Sequence, residues 1–127
     1  MPYFDQTTET LPRDQLQALQ FTKLQTLVST LWEHNRFYTG KWKAAGIQPG
    51  DMKSLADLSR LPLTTKGELM ADQATNGPFG NNLTYPIDHY VRFHQTSGTT
   101  GVPLKVPDTE TGWQWWGRCW GHVLAGA

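Results

Sequence analysis

The most informative part of the sequence is a small polar loop, Thr96-Ser97-Gly98-Thr99-Thr100-Gly101-Val102-Pro103. Glycine adopts positive φ and lets the backbone approach a ligand closely. Backbone N–H groups in such a turn can form a concave anion-binding surface, to which hydroxyl groups add donors. The loop is not a Walker A sequence, because that motif needs Gly-Lys-Ser/Thr at the start of a helix. Its composition predicts either an anion-binding loop or an ordinary flexible hairpin loop.

The residues on either side of this loop predict a strand before it and a strand after it. Residues 90–94 combine strand propensity with rough alternation, and residues 104–106 form a candidate return strand that Pro107 ends. Asp108 or Thr109 then caps a last helix. Three tryptophans lie along this helix at i, i+3 and i+7, namely Trp113, Trp116 and Trp120.

The first part of the chain predicts helices. Residues 1–10 are polar and are expected to form a loosely held lead-in. Apolar side chains that recur at steps of three to five predict an amphipathic helix over residues 12–34. A second short helix around residues 37–45 is expected to end at Gly46 in a left-handed cap.

Capping residues and turn signals organise the stretch between these helices and the first strand. Ser54 is a candidate cap for a short helical piece, and Thr64 or Thr65 for a helix that begins at Lys66. Residues 75–86 contain several asparagines, glycines and prolines, which predict a loop.

Together these elements predict an α/β fold, or an α+β fold for this chain taken alone. Residues 1–85 form an N-terminal helical segment, and residues 86–127 begin an α/β core that includes the loop 96–103. A stable sheet usually needs three or more strands, and the last helix is amphipathic with no polar tail after it. We therefore expect the core to continue beyond residue 127.

Composition and charge exclude several classes of function. The chain has 127 residues, with 11 Lys+Arg against 11 Asp+Glu, so its formal net charge is zero. This balance gives no excess positive charge of the kind that attracts nucleic acid or an anionic membrane surface. The single cysteine, Cys119, excludes an intrachain disulfide, and no signal peptide or membrane-spanning run is evident. A soluble, cytoplasmic protein is expected.

Several motifs together resemble one family of enzymes. The loop is similar to the phosphate-binding loop of the adenylate-forming superfamily. Five motifs narrow the resemblance to the N-terminal part of phenylacetate–CoA ligases and coenzyme F390 synthetases, over most of residues 11–125. They are Leu11-Pro12-Arg13, Phe37-Tyr38, Ala44-Ala45-Gly46-Ile47, Leu61-Pro62-Leu63-Thr64-Thr65-Lys66 and Arg92-Phe93-His94-Gln95-Thr96-Ser97.

This resemblance implies an enzyme that joins a carboxylate to ATP, releases pyrophosphate and passes the acyl group to the thiol of coenzyme A. The complete enzyme would use ATP, Mg²⁺ and coenzyme A, with an aryl or phenylacetate-like acid as substrate. The chain itself would be an inactive N-terminal portion without a catalytic or metal-ligating residue. The residues implied to bind the phosphates are Thr96, Ser97, Gly98, Thr99, Thr100, Gly101 and Lys105.

Lys105 departs from the family pattern. The resembled enzymes place a lysine directly after the motif proline or after the second glycine, where this chain has Leu104 and Val102. In an extended segment, one step turns a side chain to the opposite face. A phosphate contact and a solvated strand lysine therefore both stay open for Lys105.

Each of the other side chains that could have a catalytic or binding role could instead have a purely structural one. His94 is either a satisfied histidine at a strand end or a neighbour of the nucleotide or acyl site. Cys119 and His122 supply only two metal ligands where structural zinc needs four, and Cys119 is expected to be a buried helix residue. Four tryptophans line an aryl pocket or form a helix face covered by further core: Trp113, Trp115, Trp116 and Trp120.

Two other functions remain as alternatives to the ligase. The chain could be a standalone, non-catalytic module that binds an anion or a partner. It could also come from an adenylating enzyme that transfers to another acceptor, such as a cofactor or a carrier protein. Unmatched apolar faces also predict self-association of the isolated chain.

Overall fold

The computed structural model describes residues 3–98 and 101–127 and combines helices with a small antiparallel sheet. This architecture confirms the predicted fold class. The helices are α1 (Gln6–Glu9), α2 (Arg13–His34), α3 (Arg36–Ala44), α4 (Lys66–Thr75) and α5 (Glu110–Gly126). The strands are β1 (Tyr90–Gln95) and β2 (Lys105–Thr109), and short 3₁₀ turns cover Pro49–Asp51, Leu55–Arg60 and Ile87–His89.

The helices α2 and α3 form the packed part of the molecule. Their apolar faces meet the turns that follow them around four buried side chains: Val28, Trp42, Ile47 and Met52. Gly46 follows α3 with φ at 70°, which confirms the predicted left-handed cap. Burial of these side chains removes apolar surface from water and is the main stabilising term here.

A buried asparagine links the junction of α2 and α3 to a distant loop. Asn35 is only 2% exposed, and its side-chain oxygen accepts a hydrogen bond from the Tyr38 backbone N–H at 3.0 Å. Its Nδ2 donates to Asn82 Oδ1 and to Thr84 Oγ1, both at 3.0 Å. Asn35 therefore caps α3 and fixes the loop that leads to β1.

Helix α4 begins with the predicted cap. The Thr65 side chain accepts from the Glu68 N–H, and the Glu68 side chain accepts from the Thr65 N–H, which is a capping box. Lys41 Nζ on α3 lies 2.6 Å from Glu68 Oε1. The hydrogen bond from Lys41, followed by those from Thr65, lowers the pKa of Glu68 from its ordinary 4.5 to about 2.

The strands β1 and β2 form an antiparallel hairpin around the loop. Gln95 lies opposite Lys105, His94 opposite Val106, and Phe93 opposite Pro107. The prediction that Pro107 ends the return strand is wrong, because β2 continues through it to Thr109. A proline is tolerated in a strand at an edge, where no ladder hydrogen bond is lost. The predicted Thr109 cap of α5 is confirmed.

The N-terminal residues differ from the predicted loose lead-in. Asp5 caps the short helix α1, and its Oδ2 lies 3.0 Å from Arg118 Nη2 on α5. Glu9 Oε1 lies 3.0 Å from His122 Nδ1, and the Phe4 ring packs edge-on to the same histidine. The partners in both ion pairs are 113 residues apart in sequence. Local sequence patterns could therefore not reveal these contacts.

Candidate functional site

The polar loop is closed at its base by a hydroxyl side chain. The Thr96 N–H donates to the Leu104 carbonyl at 3.0 Å, and the Leu104 N–H donates to Thr96 Oγ1, also at 3.0 Å. Leu104 is buried. Thr96 therefore holds the two arms of the loop together.

Two glycines give the loop its sharp turn. Gly98 has φ at +62° and Gly101 has φ at +98°, which side-chain-bearing residues rarely adopt. The Gly101 N–H donates to the Gly98 carbonyl at 2.7 Å. A Cβ atom on Gly98 would lie 3.3 Å from Pro103 Cγ. Thr99 and Thr100, two of the sequence-predicted phosphate ligands, lie outside the described residues.

The exit arm of the loop is held by a side chain that sequence reasoning missed. Gln73 Oε1 on α4 accepts from the Lys105 N–H at 3.1 Å, and Gln73 Nε2 donates to the Lys105 carbonyl at 2.6 Å. One side-chain amide thus satisfies both backbone groups of the first residue of β2. A small cavity of about 130 Å³ lies beside this contact, with Met70, Pro78, Val102 and Pro103 among its lining residues.

Lys105 and His94 lie on opposite faces of the hairpin. His94 is opposite Val106 in the register, and side chains alternate faces along a strand. Lys105 borders the cavity beside α4, whereas His94 borders a second cavity on the α5 side. The structure therefore brings Thr96, Ser97, Gly98 and Gly101 together in the loop and places Lys105 at the start of β2, beside α4.

His94 belongs to an aromatic and charged cluster. Its Nε2 lies 3.0 Å from Asp108 Oδ2 on β2, and its ring stacks on Trp113 with centroids 5.2 Å apart. The Arg92 guanidinium lies 3.9 Å from the Trp113 ring centroid, a cation–π contact. A cavity of about 330 Å³ opens here, and Trp115 and Trp116 complete its wall. These features make His94 a partnered side chain beside an aromatic cavity.

The remaining candidates do not form a site together. Cys119 is exposed, so the expectation of a buried helix residue is wrong. The reason is that α5 has no neighbour over that face within the described residues. His122 is occupied by Glu9 and Phe4. Among residues 3–98 and 101–127, no three His, Cys, Asp or Glu side chains group as metal ligands do, and no helix is long and apolar enough to cross a membrane.

The fold of this chain is that of a segment of an acyl-CoA ligase. It matches 2-hydroxyisobutyryl-CoA ligase, solved in complex with 2-HIB-AMP and CoA, with a TM-score of 0.77 and 36% identity over 83% of this chain and 22% of that one. The same ligase in the postadenylation state with R3-HIB-AMP gives a TM-score of 0.82 and 30% identity over 92% of this chain and 24% of that one.

The relatives in sequence are phenylacetate-coenzyme A ligases. The Escherichia coli enzyme is 39% identical over 102 residues, 80% of this chain and 22% of that enzyme. The Aromatoleum evansii enzyme is 40% identical over 98 residues, 77% of this chain and 21% of that enzyme. The chain spans about a fifth of the length of these relatives, and no family model matches it. The predicted resemblance is confirmed, and the similarity favours the ligase over a standalone module.

Proposed function

We propose that this chain is the phosphate-binding N-terminal portion of an ATP-dependent carboxylate–CoA ligase that acts on an aryl or phenylacetate-like acid. The observation that carries the proposal is the closed hairpin loop, with Gly98 and Gly101 at positive φ, in a chain homologous to phenylacetate-coenzyme A ligases. A hydroxyl- and glycine-rich turn of this kind suits the oxygens of a polyphosphate.

The proposed reaction has two steps. The carboxylate attacks the α-phosphorus of ATP and pyrophosphate leaves, which produces an acyl-adenylate. The thiolate of coenzyme A then attacks the acyl carbonyl and AMP leaves, which produces the acyl-CoA. The 2-HIB-AMP and CoA bound to 2-hydroxyisobutyryl-CoA ligase support both steps for this chain's complete protein.

The loop residues divide the phosphate binding between side chains and backbone. We assign hydroxyl donors to Ser97, Thr99 and Thr100. Gly98 and Gly101 set the backbone of the turn, in which the Gly101 N–H donates to the Gly98 carbonyl. Ser97 is exposed, which leaves its hydroxyl accessible to a ligand. Thr96 contributes mainly by closing the base of the loop, because its oxygen already accepts from Leu104.

Mg²⁺ would accompany the nucleotide. The donors described in this loop are hydroxyl and N–H groups, which fit phosphate oxygens, whereas Mg²⁺ prefers carboxylate, phosphate and water oxygens. In this proposal the loop binds the phosphates, and Mg²⁺ enters the site bound to the phosphate oxygens. With about a fifth of the relatives' length, the isolated chain is expected to have no ligase activity, and the complete enzyme is proposed to act in the cytoplasm.

A segment exchange tests this proposal. Residues 11–125 would replace the matching part of the Escherichia coli phenylacetate-coenzyme A ligase. We expect the exchanged enzyme to show phenylacetate-dependent ATP–pyrophosphate exchange and formation of a CoA thioester. A folded exchanged enzyme without either activity contradicts the proposal. Pyrophosphate exchange without a CoA thioester would favour transfer to another acceptor.

A loop variant of the exchanged enzyme tests the site itself. Gly98→Val places a β-branched residue at positive φ and against Pro103, so the KM for ATP should rise or kcat should fall by at least about tenfold. Gly40→Ala on α3 is the matched control, because nothing lies within 4 Å of the added Cβ. Unchanged ATP kinetics in Gly98→Val would show that the loop assignment is wrong.

A further inference from the structure

Gln73 joins the helical segment to the loop hairpin through two hydrogen bonds. Its amide carries one acceptor and one donor, and the Lys105 backbone offers one donor and one acceptor. The observed distances of 3.1 Å and 2.6 Å use all four groups. Only one orientation of the amide satisfies both bonds, so the contact defines the position of α4 relative to Lys105.

This contact acts on the loop through the residues that precede Lys105. Lys105 directly follows Leu104, whose N–H and carbonyl both bond to Thr96 at the other arm of the loop. Val102 and Pro103 lie against α4 around the small cavity that Gln73 also lines. The exit arm is therefore held from two sides, by β1 and by α4.

We infer that Gln73 is a positioning residue that fixes the exit arm of the loop, residues 102–105, for binding the phosphates of a nucleotide. The identity of the ligand in this inference rests on the proposed function. The Gln73–Lys105 contact is observed independently of that function. A loop that is held in its bound shape avoids an ordering cost when the ligand binds. Loss of the Gln73 contact should therefore weaken nucleotide binding without removing any group that touches the nucleotide.

The first test uses the full 127-residue chain without ligand. Gln73→Met keeps the length of the side chain and removes both hydrogen bonds. We expect the amide protection factors of Lys105 and Gly101, measured by NMR hydrogen exchange, to fall about tenfold. Ala71→Ser, on the exposed side of α4 and outside this cavity, is the matched control and should leave them unchanged. Unchanged protection in Gln73→Met overturns the inference.

A conservative variant separates positioning from a general loss of stability. In Gln73→Glu, the ionised carboxylate accepts from the Lys105 N–H but cannot donate to its carbonyl. Protonation below about pH 4 restores the donor. Protection of Lys105 should therefore rise again, relative to wild type, as the pH falls. The charged groups beside residue 73 are Asp72 on α4 and Lys105 on β2. Both are also present in the wild-type chain, so the comparison with wild type removes their contribution to the pH dependence. Absence of this recovery contradicts a positioning role.

The exchanged ligase provides the functional readout. Gln73→Met should raise the KM for ATP about fivefold to tenfold and leave the KM for the acid unchanged. If Gly98→Val alters ATP kinetics and Gln73→Met does not, the inference fails and the proposed function stands. If Gln73→Met lowers amide protection but neither variant alters ATP kinetics, the proposed function of the loop fails.

Discussion

The two parts of this molecule are held together by different means. The α2–α3 segment buries Val28, Trp42, Ile47 and Met52 in one cluster. In the hairpin and α5, Leu104 alone among the described residues is a buried hydrophobic side chain. Many large apolar side chains there are instead exposed: Val91, Phe93, Val106, Trp115, Trp116, Trp120, Val123 and Leu124.

A few polar contacts hold the hairpin and α5 in place where buried apolar side chains are few. Gln73 holds the start of β2, Asp108 holds His94, and Asp5 holds Arg118. Such contacts contribute modest stability but define position sharply. The comparison indicates that the helical segment supplies the stability, whereas the hairpin is located by directional bonds. The boundary at residues 85–86 and self-association through the exposed apolar face stay predictions.

The largest expected effect comes from the core of the helical segment. Trp42→Ala removes a side chain that is 4% exposed and should lower the free energy of unfolding by about 3–5 kcal/mol. Trp120→Ala, where the side chain is 51% exposed, should cost about 1 kcal/mol or less. Urea unfolding followed by circular dichroism measures both. Equal losses in the two variants would contradict the difference between the two regions.

The next effect concerns the buried polar link. Asn35→Ala removes the cap of α3 and leaves Asn82 and Thr84 without their partner. The expected loss is about 2 kcal/mol, measured in the same urea titration. Asn76→Ala is the control, because the exposed Asn76 side chain donates to Asp72 within its own turn. A loss in Asn35→Ala no greater than in the control would show that this link is dispensable.

A smaller effect is expected where α1 lies on α5. The Phe4 ring packs so closely on the backbone of Gly121 that no Cβ atom would fit there. Phe4 is 47% exposed, so Phe4→Ala should cost about 1 kcal/mol. Limited proteolysis should then cleave α5 sooner, while the tryptophan environment around Trp42 stays unchanged. Cleavage of α5 at the wild-type rate would contradict an anchoring role for Phe4.

The smallest effect is a dependence of stability on pH. The pKa of Glu68 is about 2 in the folded chain and 4.5 as its ordinary value. The folded state thus favours the ionised form, so this contribution is complete above about pH 4.5 and is lost as the pH falls toward 2. Glu68→Gln should flatten that part of the profile of urea midpoint against pH. A profile identical to wild type would show that the Lys41–Glu68 contact does not contribute.

Local signals explain which parts of the fold could be predicted from the sequence. The cap at Thr65 and the turn at Gly46 depend on residues within a few positions, and both predictions are confirmed. The loop 96–103 could be identified from the sequence for the same reason, because its hydroxyl-bearing residues and glycines lie within a few positions of one another. Its assignment to phosphate remains a prediction that the Gly98→Val experiment tests.

Contacts between distant residues explain the rest. The Gln73–Lys105 pair spans 32 residues, and a glutamine on an amphipathic helix gives no sign of its partner. Cys119 is exposed rather than buried as expected, because no described residue covers that face of α5. The strand through Pro107 was missed because the edge position that tolerates a proline depends on the pairing register.

The same register determines how this sheet can grow. In an antiparallel pair, alternate residues direct their backbone groups away from the partner strand. On β2 these residues are Lys105, whose N–H and carbonyl are taken by Gln73, and Pro107, which has no N–H. The outer edge of β2 therefore offers no free donor at either position, and a further strand would pair poorly there. Phe93 and Gln95 direct N–H groups outward from β1, so an additional strand, or an unwanted second hairpin, should join the sheet along β1.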